Sequence, residues 1–181
     1  MIRRATAVVL VCLTLTPLSA TEIGAGDHRE PFTGLPIIGA DPLILAFALE
    51  LEGWELDSFD PEGLSAHRKR DGVSETVGYG FSPRRMGGAV VVDLINLDYR
   101  RRAVGINALS WLREVDRFET MAATLDGYLG SGRPSADEEE LRELWSLGGE
   151  LLAELTLVLD DEEVTLQGWY DLAGVFFSED D

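Results

Sequence analysis

The sequence predicts an α+β fold: one N-terminal helix, an antiparallel meander of about four strands, then two or three C-terminal helices. Three observations lead there. Asp41-Pro42 opens an apolar run in the way a helix starts. Asp71-Gly72 separates two strand-like runs, a short-range signature of a tight hairpin. From about Asn107 onward, apolar residues recur at near-helical spacing. Strands followed by helices, with no regular alternation of the two, give an α+β order.

Taken in order, the chain begins with a leader. Arg3 and Arg4 precede an uncharged, mostly apolar run over 5–15, and Pro17, Ser19 and Ala20 form a small-residue exit. This layout predicts a signal peptide over 1–20 and an exported protein, periplasmic or extracellular. Cys12 lies inside the leader, so cleavage would leave a chain free of cysteine and of thiolate chemistry. No later run is long and apolar enough to span a bilayer, so no membrane association is expected after cleavage. Residues 21–40 carry four Gly and two Pro and are expected to form an extended arm or linker. A single domain over 41–181 is expected to follow.

Within that domain, residues 43–52 are apolar nearly all round, which predicts a well-buried helix ended by Gly53. Residues 64–70 and 73–81 flank the Asp71-Gly72 turn, and the β-branched run 89–97 reads as a central strand. Residues 98–106 fit strand or helix. Trp111, Val115, Phe118, Ala122, Leu125 and Leu129 set a helix that Gly130 stops. Ser135 with Glu138 makes a capping box, and leucines from Leu141 to Leu155 mark a further helix that Gly148-Gly149 would kink. Residues 155–177 suit a last helix, with a hairpin across 160–163 as the alternative. No internal repeat is visible.

The 181 residues include 33 acidic and 15 basic, for a formal net charge of −18. Such a chain is repelled by phosphate backbones and anionic lipid heads, so nucleic acid is not an expected partner. A protein partner with a basic surface is, because acidity steers encounter with basic targets. Charge is unevenly spread. Residues 65–105 hold eight bases against four acids, whereas 134–181 hold fifteen acids and one base, Arg142. Following the meander, Arg68, Lys69 and Arg70 fall at the same end of the sheet as Arg100, Arg101 and Arg102, about 10 Å apart across two interstrand spacings. Those six are the candidate anion- or partner-binding residues, since the arginine fork suits oxyanions.

No catalytic, cofactor or metal motif stands out. The two imidazoles are His28, in the arm, and His67, in a strand beside Arg68-Lys69-Arg70. The glycine-rich stretch 78–88 is followed by a β-run where a phosphate loop needs a helix. The acidic runs at 137–140, 160–163 and 179–181 lack the alternating spacing and glycine of a calcium loop.

The segment Leu97-Asp-Tyr-Arg-Arg-Arg-Ala-Val-Gly-Ile-Asn-Ala-Leu109 resembles a helix-start segment of a family of heavy-metal-chelation proteins. It covers a small part of the chain, the cysteines are absent, and no function is carried over from it. The leading expectation is an exported acidic binding protein without catalytic activity, of the inhibitor, immunity or assembly-partner kind. The alternatives are a small carboxylate-based hydrolase and an anion-binding module at the arginine-rich sheet edge.

Overall fold

The computed structural model describes residues 29–35, 41–86, 89–137 and 140–171. The expected signal peptide, most of the arm and the tail from 172 lie outside these residues. Helix α1 (Pro42–Leu51) leads into β1 (Glu55–Asp60), β2 (Gly63–Arg70), β3 (Val73–Met86) and β4 (Ala89–Val104). Helix α2 (Ala108–Leu129) leads into β5 (Arg133–Asp137), β6 (Glu140–Leu147), β7 (Glu150–Asp160) and β8 (Glu163–Tyr170). All eight strands join one antiparallel sheet in the order β1-β2-β3-β4-β8-β7-β6-β5.

This corrects the expected layout. The chain after α2 forms four strands where one or two further helices were expected, and residues 98–104, which fit strand or helix, continue β4. Gly148-Gly149 is a hairpin turn with φ of 62° and 94°, not a helix kink. The acids Asp160 to Glu163 close the β7–β8 hairpin. The physical reason is register. Leu155 and Leu157 on β7, and Val164, Leu166 and Tyr170 on β8, alternate into the core with period two once β8 is seated between β4 and β7. That long-range pairing overrides the local helix preference of a Leu/Glu-rich stretch.

The element order is α-β-β-β-β, twice. The last strand of each half, β4 and β8, meets the other antiparallel from Leu97↔Tyr170 to Val104↔Glu163. The described elements therefore follow a two-fold topological repeat. In each half the second and third strands turn on two residues of positive φ, Asp71-Gly72 and Gly148-Gly149, whose left-handed conformation matches the sheet twist.

Among the described residues, the helices lie on one face of the sheet and leave the other bare. Across five strands, Ala66, Val77, Tyr99, Gly168 and Leu155 stand in register beneath them, and so do Leu64, Tyr79, Leu97, Tyr170 and Ala153, all buried. Each fully buried leucine among Leu97, Leu155, Leu157 and Leu166 contributes about 1.5–3 kcal/mol. Asn107 caps α2, and Phe118, Met121, Ala122 and Leu125 form its buried stripe. Asp126 pins the helix to the second half, accepting from Gly132 N at 2.8 Å and from Trp145 Nε1 at 2.9 Å.

Part of the expected linker is seated in the core. Phe32 stacks on Tyr99 with ring centroids 5.0 Å apart. Gly168 makes this possible, because a Cβ there would come within 2.7 Å of the Phe32 ring. The buried Glu30 carboxylate accepts from the Phe32 and Thr33 backbone N–H groups, and the Tyr79 hydroxyl donates to it at 3.4 Å.

Helix α1 is also corrected. It buries Leu45, Ala46 and Leu49 but leaves Leu43, Ile44, Phe47 and Leu51 between 60% and 71% exposed. A ten-residue helix lying over the sheet's outermost strand has one surface to pack against, so one stripe is buried.

Candidate functional site

Strand pleating decides where the six predicted bases go. Successive side chains alternate between faces, so Arg68, Arg70 and Arg101 point to the helix-covered face and Lys69, Arg100 and Arg102 to the bare one. The six therefore do not converge. On the bare side, Arg102 pairs with Glu163 and Arg100 lines an open groove.

On the covered side the arginines build a network around Glu75, which is 5% exposed. Arg68 donates to Glu75 Oε2 from Nε at 2.7 Å and Nη2 at 2.6 Å, and its guanidinium lies 4.3 Å over the Trp54 ring. Arg101 donates to Glu75 Oε1 from Nη1 at 2.6 Å and grips Glu114 of α2 with Nε and Nη2 at 3.0 and 3.2 Å. The Tyr99 hydroxyl adds a third donor to Glu75 at 3.1 Å. Burial alone pushes the Glu75 carboxyl up, but the Arg101 and Arg68 guanidiniums outweigh it and hold it below the usual range.

Beside this network lies a cavity of about 470 Å³ walled by the β2–β3 turn, the end of β4 and the first half of α2. Five guanidiniums line it: Arg68, Arg70, Arg101, Arg113 and Arg117. The last two come from α2 and were not among the predicted site residues. Their i, i+4 spacing on a helix that follows directly on the 100–102 cluster was the available signal.

The bare face carries a groove of about 610 Å³ over the middle strands. Asp98, Trp169 and Glu154 stand in one row across it. Glu154 is committed, accepting from Trp169 Nε1 at 3.2 Å and from Arg142 Nη2 at 2.7 Å. A carboxylate held in this way is poorly placed for acid–base work. His67 stands on the same face with Nδ1 2.8 Å from Asp57 Oδ1 and Nε2 3.5 Å from Glu55. His28 lies outside the described residues. Among the described residues, no group of three or more His, Cys, Asp or Glu side chains is arranged to hold a metal ion, and no helix is long and apolar enough to cross a membrane.

The fourth feature is the outer surface of α1 and β1. From Asp41 to Gly63 the chain has seven acids and no base. Leu43, Ile44, Phe47, Leu51 and Phe59 are exposed there, and Glu50 and Glu52 are exposed at the end of the same helix, whereas Glu55 and Asp57 turn to the bare face toward His67. Exposed apolar side chains at helical spacing have the anatomy of a protein-binding surface. Comparison with protein-family models, with curated proteins and with solved structures gives no match to this chain, so its own geometry carries the functional reading.

Proposed function

We propose that this chain is an exported acidic binding protein, not a catalyst, and that it docks a partner with a basic, amphipathic surface on α1 and β1. The observation that carries this reading is the coincidence of five exposed apolar side chains with a stretch of seven acids and no bases. Leu43, Phe47 and Leu51 repeat every four residues along one helical face, the spacing at which a partner helix would interdigitate. The acids supply steering and exclude wrong partners. A second copy of this chain is disfavoured, since it would set two acidic segments against each other.

The test uses a pair of synthetic helical peptides with the same apolar face, one with a lysine/arginine polar face and one with a glutamate face. Isothermal titration at low and high salt should show binding of the basic peptide alone, weakened by salt as exposed charges are screened. Phe47→Ser should weaken it by roughly tenfold or more, as expected for a central anchor, with an unchanged circular dichroism spectrum. Equal binding of both peptides, no binding of either, or full affinity in the Phe47 variant would each refute the reading.

A further inference from the structure

We propose that the arginine-lined cavity between the β2–β3 turn and α2 binds a doubly charged oxyanion, a phosphate or sulfate group, through Arg70, Arg113 and Arg117. This is a separate inference and does not rest on the docking surface. Five of the chain's fifteen basic residues line this one cavity in a protein that is otherwise strongly acidic.

The charges balance as follows. Three carboxylates line the same cavity: Asp71, Glu75 and Glu114. Arg68 and Arg101 occupy Glu75 and Glu114 at 2.6–3.2 Å. Arg117 approaches Glu75 only at 3.9 Å, and Arg70 and Arg113 form no ion pair among the described residues. Five guanidiniums against three carboxylates leave a surplus of two positive charges, which a dianion would neutralise.

The positions are fixed by the fold. Arg70 ends β2 with its guanidinium resting over Gly53, where a Cβ would stand 2.8 Å from Nη2. Arg113 and Arg117 are one turn apart on α2, which Arg101 ties to the sheet through Glu114. The inner ion pairs thus hold rigid two elements that carry the outer arginines. Planar guanidiniums give paired donors to tetrahedral oxyanions, a geometry that lysine lacks.

Thermal unfolding at constant ionic strength in sodium chloride, sodium sulfate and sodium phosphate tests this. Phosphate, sulfate or both should raise Tm saturably by roughly 2–4 °C over chloride. The double variant Arg70→Ser/Arg113→Ser should lose that gain. Both side chains extend from the rim, so the variant should keep its fold, read by its spectrum in chloride. Arg100→Ser, on the bare face, should retain the full gain. Response to phosphate alone assigns a phosphoryl group, and equal response to sulfate assigns any tetrahedral dianion; either upholds the site. Replacing phosphate with O-phosphoserine shows whether the group is taken free or on an organic stem. Equal gains in the double variant and the parent would mean general salt exclusion and would overturn the proposal, as would no gain in either anion.

Discussion

At the scale of single residues, Glu30 makes the sharpest pH prediction. Burial pushes its carboxyl from 4.5 up to about 8, although the Phe32 and Thr33 backbone N–H groups pull the other way. When residues 29–35 leave the core, the carboxyl returns to its ordinary value. The docked segment therefore holds the proton between about 4.5 and about 8 where the released one does not. Its docking is fully supported below the lower value and lost as pH rises through the upper one. Hydrogen exchange of the Phe32, Thr33 and Gly34 amides, corrected for intrinsic rate, should accelerate between pH 6 and 9. Glu30→Gln should flatten that profile, and a flat profile in the parent protein would count against the assignment. Glu30 and Phe32 were not legible in the sequence, because a glycine-rich stretch without periodicity gives no sign that one ring will fill a gap left by Gly168. The splitting of the six bases was legible in principle. Residues 68 and 69 must face opposite ways in a strand, and grouping charges by sequence position hid that.

At the scale of elements, the β6–β7 hairpin offers a test with opposite signs for the two architectures. If residues 135–155 were helical, Gly148→Ala/Gly149→Ala would stabilise by roughly 0.5–1 kcal/mol per site. In a turn where both residues have positive φ, the same change should destabilise by about 1–2 kcal/mol per site. Urea unfolding of the double variant reads the sign directly. Helix α2 and the Asp71-Gly72 hairpin were readable because their signals are local: a cap, a stop and two turn residues. Strands β6 to β8 were not, because Leu144, Trp145, Leu151, Leu152 and Leu155 satisfy a helical stripe, whereas in the sheet Trp145 and Leu155 face the core and Leu144 stands opposite Glu154 on the other face. What decides between them is the seat of β8 beside β4, and no window of neighbouring residues contains that information. The buried stripe of α1 was readable, but its exposed one was not, since hydrophobicity alone does not say how many partners a helix has.

At the scale of the whole molecule, the seam between β4 and β8 joins the two halves through eight paired positions beneath a shared core. If the halves unfold as one unit, amide protection should be greatest in residues 99–101 and 166–168 and fall outward to β1 and β5. Native-state hydrogen exchange would show this gradient, whereas fast exchange in β8 with slow exchange in β3 would mean that the halves open separately. The outermost strands carry a further consequence. β1 breaks register with a bulge between Leu56 and Ser58 and presents Glu55, Asp57 and Asp60. β5 is five residues long and carries Pro134, which has no N–H to offer. Neither rim is a good template for another chain's backbone. A binder of this protein is thus pushed toward recognition by side chains, and lengthening the ladder by one more strand, the common route to indiscriminate sticking, is closed off at both ends.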